Sequence, residues 1–259
     1  MQGFKVVIPA RYGSSRLPGK PLRLLAGRPM VEHVYRRACE SGAEEVVIAT
    51  DDARIETAAR NFGATVVMTS SEHPSGTDRL AEVVERRGWP DAAIIVNLQG
   101  DEPLMPPALV AQVADNLAAR EDAAIATLCT RIVEAAEFFD PNVVKVVCDA
   151  AGYALYFSRA PIPWARDAFA ADRERLPAGV PHWRHLGLYA YRAQFLRAYR
   201  NLEPAAIEGS EMLEQLRALF HGARIHVAEA LVLPGPGVDV EADAERVALL
   251  LQEIERPTA

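Results

Sequence analysis

Short apolar runs alternate with stretches of helical periodicity through the first half of this chain, and that alternation restricts its fold more than any other feature. The runs lie at 5–9, 45–49, Thr65–Met68 and 93–98. Between them, Val31, Val34, Tyr35 and Ala38 share a face of a helix predicted over 30–41, and Ile55, Ala58, Ala59 and Phe62 one over 53–62. Leu80, Val83 and Val84 mark a third helix over 77–87, and Leu109, Val113 and Leu117 a fourth over 107–119. Strands that are apolar throughout are buried on both faces. The expected class is therefore α/β, a mostly parallel sheet flanked by helices. Such sheets bind ligands beyond the carboxyl ends of their strands.

Near residue 140 the pattern changes. Runs at 143–148 and 153–158 flank Asp149-Ala-Ala-Gly152, a hairpin signal. A flap rich in Pro, Arg and Ala over 159–183 precedes a strand at 186–191, a helix at 210–219 and a strand at 224–228. A last helix over Glu241–Ile254 turns Val247, Leu250, Leu251 and Ile254 inward. The expected organisation is a single domain over 1–259, with a larger lobe at 1–135 and a smaller β-rich lobe at 140–235.

The loop after the first run carries the chemistry. Gly13, Ser14 and Ser15 can present consecutive backbone N–H groups to an anion, and Pro18-Gly19 suits a tight turn with positive φ at the glycine. Arg11, Arg16 and Lys20 set three cations around it. A triphosphate carries about four negative charges, which three cations and a Mg²⁺ ion neutralise. This is not a P-loop, because five residues separate Gly13 from Gly19 and Pro21 follows Lys20. Composition alone also fits a solvated basic loop; its place at a strand end favours a site.

The net charge of −7 favours a free nucleotide over nucleic acid as the anionic ligand. Among 28 basic residues only Lys5, Lys20 and Lys145 are lysines. A lysine here hints at a position where a compact ammonium serves better than a guanidinium fork. Cys39, Cys129 and Cys148 are odd in number and widely spaced, and read as buried thiols of a reducing compartment. No basic segment precedes an apolar core at the N-terminus, and no run nears the ~18 apolar residues of a membrane span. A cytoplasmic protein without membrane insertion is expected.

The string PARYGSSRLPGKP at 9–21 resembles the N-terminal signature of the 3-deoxy-manno-octulosonate (Kdo) cytidylyltransferases, the CMP-Kdo synthetase family. The likeness continues through ATD at 49–51, SGTDRLAEVV at 75–84, VNLQGDEP at 96–103 and VKV at 144–146. It extends to ALYFSRA at 154–160, HLGLYAY at 185–191, EMLEQLR at 211–217 and GVDV at 237–240. The resemblance implies a nucleotide-diphospho-sugar transferase-like fold and a homodimer. It also implies a Mg²⁺-dependent reaction of CTP with Kdo that releases pyrophosphate and forms CMP-Kdo for lipopolysaccharide synthesis. The larger lobe would then mainly bind nucleotide, and the smaller one would bind sugar and dimerise.

Attack of the sugar's anomeric hydroxyl on the α-phosphorus needs positioning and charge neutralisation more than covalent chemistry. Arg11, Arg16 and Lys20 are the triphosphate clamps and catalytic cations, with Lys20 nearest the α-phosphate. Ala10, Gly13, Ser14, Ser75, Gly76, Arg79, Gln99 and Asp101 complete the nucleotide site by resemblance, Arg79 and the loop before it reading the cytosine edge. Ser75-Gly-Thr-Asp78 also reads locally as a capping box. Asp101 and Asp239 are implied Mg²⁺ ligands, since this hard ion takes one or two carboxylates and completes its shell with phosphate and water. Asp101 could instead cap the helix after it. For the sugar acid, Arg159 and Arg166 are candidates for the carboxylate, and Gln99, His185, Tyr189, Glu211 and Gln215 for the hydroxyls. Glu211 and Gln215, four apart, are expected on one helical face. An acylneuraminate cytidylyltransferase would share the N-terminal loop, but the strings at 185–191 and 211–217 favour Kdo. A glycosyltransferase of this fold type would commonly hold its metal with Asp-x-Asp, and no such pair occurs.

Overall fold

The structure, a computed structural model, describes residues 3–13, 17–73 and 75–254. Strand β1 (Phe4–Ala10) is the middle of a row that the first half of the chain builds outward. A two-residue hairpin, β2 (Leu24–Leu25) and β3 (Arg28–Pro29), leads into helix α1 (Met30–Glu40). Then follow β4 (Glu45–Thr50), α2 (Ala53–Asn61), β5 (Thr65–Met68), α3 (Gly76–Arg87), β6 (Ile94–Asn97) and α4 (Pro107–Ala118). These match the predicted strands and helices closely, because each is set by local periodicity, and two of the helices also by a cap. Asp52 accepts from Arg54 N at the start of α2, and Ser75 accepts from Asp78 N at the start of α3.

The second half supplies β7 (Ile125–Arg131), α5 (Ala135–Phe139), β8 (Lys145–Cys148), β9 (Ala154–Ser158), α6 (Arg166–Ala171) and β10 (Trp183–Arg192). It continues with α7 (Ala193–Tyr199), α8 (Ala206–Glu211), α9 (Gln215–Phe220), β11 (Ile225–Glu229) and α10 (Glu241–Ile254). The main row runs β11-β7-β10-β6-β1-β4-β5, and β10 alone opposes its neighbours. The β8–β9 hairpin hangs from the start of β10 through Trp183↔Val146 and Arg184↔Lys145. One mixed, mostly parallel sheet of nine strands therefore runs through both halves of the chain.

Several elements were not expected from the sequence. Strand β7 is buried at every residue but the last, and its small and apolar side chains show no period to read. Helix α6 forms inside the flap, anchored by Phe169 in a cluster with Ile132 and Phe138. The single helix predicted over 210–219 is corrected to two, α8 and α9. Met212 sits between them in the left-handed region, with φ of 53°, which ends the first helix and turns the second. The expectation of three buried thiols also fails at Cys39, which is exposed on α1.

One apolar core lies under α1, α2 and α4, and the other under α3, α7 and α9. A smaller cluster matters more for function. Leu17, Leu25 and Met30 pack against Val238, Ala244, Val247 and Leu251, so α10 seats itself on the base of the 10–20 loop. Among the described residues no helix is long and apolar enough to cross a membrane.

Candidate active site

Strands β1 and β6 are parallel neighbours, and past the end of β6 the chain stays beside β1, Leu98 N donating to the Val7 carbonyl at 3.1 Å. A Cβ on Gly100 would stand 2.8 Å from the Pro9 carbonyl oxygen, so only glycine allows this approach. The loop after β1 is closed by the Gly19 N–H, which donates to the Tyr12 carbonyl at 3.1 Å from a residue with φ of 69°. Arg54 stacks its guanidinium 3.3 Å above the Tyr12 ring and braces the loop from outside. A third strip arrives from the far end of the chain, where Val238 N donates to the Asp101 carbonyl at 2.9 Å. With Val238 pinned beneath α10, Asp239 is delivered to the same spot.

At that spot Lys20 Nζ donates to Asp101 Oδ2 at 2.7 Å and to Asp239 Oδ1 at 3.1 Å. The lysine is buried, and two carboxylates from remote parts of the sequence converge on its one ammonium. Asp101 does not cap the following helix, whose N-cap is Pro106 with no side-chain bond. Next to the pair, burial first and then the charges of Asp101 and Asp239 raise the Glu102 carboxyl to about 7.

A cavity of about 420 Å³ opens over the loop, lined by Ala10, Arg11, Gly13, Lys20, Ser75, Gly76, Gln99, Asp101 and Glu214 among others. It gathers most of the residues predicted for the nucleotide. Ser14 and Arg16 lie outside the described residues. Arg11 Nη2 donates to the carbonyls of His73 at 2.5 Å and Ser75 at 3.4 Å, which ties the two walls together. Arg79 is not in this lining. It is wholly buried and donates to Asp51 Oδ2 at 2.8 Å and Thr69 Oγ1 at 2.5 Å.

Glu214 was missed by sequence reasoning. Its carboxylate accepts from Thr77 Oγ1 at 2.9 Å at the mouth of the cavity. Only the break at Met212 gives it that direction, and no periodicity announces a left-handed methionine.

The predicted sugar-side residues are distributed differently. His185 and Tyr189 meet, with ring centroids 5.2 Å apart. His185 Nε2 lies 3.1 Å from Thr127 Oγ1, a hydroxyl within reach of the Leu186 and Leu188 carbonyls. The hydroxyl donates to a carbonyl and accepts from Nε2–H, so Nδ1 is the acceptor of a neutral imidazole. Desolvation of this half-buried ring holds the imidazole neutral, its pKa pulled down to about 3. Glu211 accepts from Ser158 Oγ at 2.6 Å and Arg159 N at 2.9 Å, so its carboxylate is engaged by the chain itself. Gln215, on the next helix, is buried, with no partner for Nε2 among the described residues. The expected shared face of Glu211 and Gln215 is thus corrected: they end one helix and begin another. Arg166 stands on the flap surface, its side chain 94% exposed. A second cavity of about 550 Å³ has Glu102, the residue after Asp101, in its wall, with Arg131, Arg184, His185 and Gly237.

For a divalent cation, the donor chemistry fits. Two carboxylate oxygens already point at one positive charge, and among the described residues no group of three acidic, His or Cys side chains forms a closed cage. That is the donor set of an ion that completes its shell with phosphate and water.

The cytidylyltransferase family model matches residues 5–225. The chain is 63% identical to the 3-deoxy-manno-octulosonate cytidylyltransferase of Halorhodospira halophila, covering 96% of this chain and 97% of that one. It is 59% identical to the Nitrosococcus oceani protein of the same name, covering 98% of each. Among solved structures it is similar to a CMP:2-keto-3-deoxy-manno-octonic acid synthetase complexed with CTP. The TM-score is 0.88 at 43% identity, over 98% of this chain and all of that one. A cytidylyltransferase from Leptospira borgpetersenii, 16% identical with a TM-score of 0.61 over 98% of this chain and 87% of that one, shares the fold.

Proposed function

The chain belongs to the cytidylyltransferase family, among the 3-deoxy-manno-octulosonate cytidylyltransferases, and from that premise we infer that it transfers CMP from CTP to Kdo. Pyrophosphate leaves, and the CMP-Kdo formed serves lipopolysaccharide biosynthesis. The observation that carries the site reading is the Lys20 ammonium bridging Asp101 and Asp239 at the edge of the phosphate-loop cavity.

Asp101 and Asp239 are the residues that would hold Mg²⁺, and the bound ion supplies charge neutralisation at the phosphates. Lys20, freed from the two acids, turns to the triphosphate and offsets charge on the α-phosphate. Arg11 and the N-terminal end of α3 hold the nucleotide along the loop. Gln99, next to Gly100 in the wall of the first cavity, serves both substrates. The neutral His185 accepts a sugar hydroxyl at Nδ1, Tyr189 lies beside it, and Arg159 meets the sugar carboxylate. With both substrates fixed, the anomeric hydroxyl is aligned for in-line attack.

The working form in this reading is a homodimer. Val133, Leu231, Val232 and Leu233 are exposed apolar side chains, and Val133 and Leu233 rim the second cavity, a surface that a second copy would cover. The protein works in the cytoplasm, a reading supported by its three free cysteines.

Incubation with CTP, Mg²⁺ and Kdo should release pyrophosphate in step with CMP-Kdo. Release that is equally fast with an acylneuraminate, or absent with Kdo, contradicts the reading.

A further inference from the structure

Two of the three lysines in this arginine-rich chain are buried, and the reaction as derived uses only Lys20. Lys145, the first residue of β8, is entirely buried. Its Nζ lies 2.9 Å from the Asp140 carbonyl oxygen, 2.5 Å from that of Val143 and 2.6 Å from that of Arg159. An ammonium has three N–H donors, and here each has one carbonyl. A planar guanidinium on a longer stem cannot fill that three-cornered hole. The charged groups that face it are Asp140, Glu211 and Arg159, and none forms a direct ion pair with it among the described residues.

What the ammonium ties together is the junction of three segments: the end of α5, the start of β8 and the entry to the flap. Arg159 stands at that junction, held from every side. Its carbonyl takes Lys145, and its N–H goes to Glu211 Oε2 at 2.9 Å. Its Nε donates to the Glu211 carbonyl at 2.7 Å and its Nη1 to the Pro141 carbonyl at 3.0 Å. Nη2 makes no hydrogen bond among the described residues. Pro141 in turn lies between Asp140 and Val143, two of the residues Lys145 grips.

We propose that Lys145 is a positioning residue for the acceptor: by gripping both the backbone of Arg159 and the segment that holds Arg159 Nη1, it aims the unbonded edge of that guanidinium at the sugar acid's carboxylate. The inference rests on the reading of Arg159 as the carboxylate's partner. Lys145 touches no substrate and acts through Arg159.

The test compares Lys145→Met, Lys145→Gln, Lys145→Arg, Arg159→Ala and the double variant Lys145→Met/Arg159→Ala. KM for Kdo, KM for CTP and kcat are measured for each, with CTP binding as a control of folding. Both Met and Gln variants should raise KM for Kdo at least about tenfold, the scale of misplacing one charge-assisted hydrogen bond, and leave KM for CTP within about twofold. Lys145→Arg should not restore it. Removing Lys145 from the Arg159→Ala background should add nothing further, because the two act in series. A Kdo KM unchanged in both Lys145 variants, or the two KM values rising together, overturns the proposal. Loss of CTP binding in both the Met and Gln variants also overturns it and assigns Lys145 to folding alone. If Arg159→Ala leaves the Kdo KM unchanged, the carboxylate reading itself has failed. If Arg159→Ala raises it and the Lys145 variants do not, only the positioning role has failed.

Discussion

The phosphate-loop end and the flap junction each bury a lysine, and the two are buried in opposite ways. Lys20 rests on two carboxylates, partners that a cation can take over. Lys145 rests on three backbone carbonyls, partners that no ligand displaces. In the proposed reading the first arrangement is a set of charges that substrate re-pairs, and the second is a fixture. The same contrast separates the two sides of the cleft. Groups proposed for the nucleotide line an open cavity, whereas those proposed for the acceptor, such as Glu211, are largely committed to holding the chain.

If Lys20 is the exchangeable member, Lys20→Ala lowers kcat at least about 100-fold in a pyrophosphate-release assay, with the fold intact. Near-normal turnover would erase the contrast. The acceptor side can be probed through acid stability. His185 is held neutral near 3 against an ordinary value of 6.5, so unfolded chains take up a proton there before folded ones do. Its contribution is complete above about pH 6.5 and is lost as pH falls toward 3, with a slope of up to about 1.4 kcal/mol per unit. His185→Gln should flatten the urea-midpoint profile between pH 7 and 4; an unchanged slope would show the imidazole is not enclosed.

A smaller effect tests the break between α8 and α9. Met212→Gly should raise stability or leave it level, by up to about 1 kcal/mol, because glycine accepts positive φ without strain. In one continuous helix the same change would cost about 1 kcal/mol, so the sign decides. Smallest of all, Arg166→Ala should alter KM for Kdo by less than about threefold, since an exposed side chain beside Asp167 contributes little. A tenfold rise would return Arg166 to the binding site.

Much of the first half was legible because its elements are local. Val31, Val34 and Ala38, or Leu80, Val83 and Val84, declare their faces through spacing, and each strand between them has a near-continuous apolar run. The loop bearing Arg11 and Lys20 was legible because its chemistry sits in one short stretch. The meeting of Asp101 with Asp239 is written in no spacing. It depends on the Val238–Asp101 backbone bond and on α10 packing over Leu17, both tertiary events, and only the family resemblance pointed to it. Strand β7 hid because Thr127 and Thr130 interrupt its apolar run, leaving neither continuity nor alternation to read. The turn at Met212 hid because nothing in a methionine favours the left-handed region, and with it went the direction of Glu214.

The central proposal is that Asp101 and Asp239, which here accept from Lys20, would hold a divalent cation when CTP is bound. A crystal structure with CTP and Mn²⁺, read by anomalous scattering, tests it directly. The account predicts a manganese peak contacting both carboxylates, with Lys20 Nζ moved from the acids onto the triphosphate. A peak elsewhere, or a Lys20 still bridging Asp101 and Asp239 beside bound CTP, would contradict it.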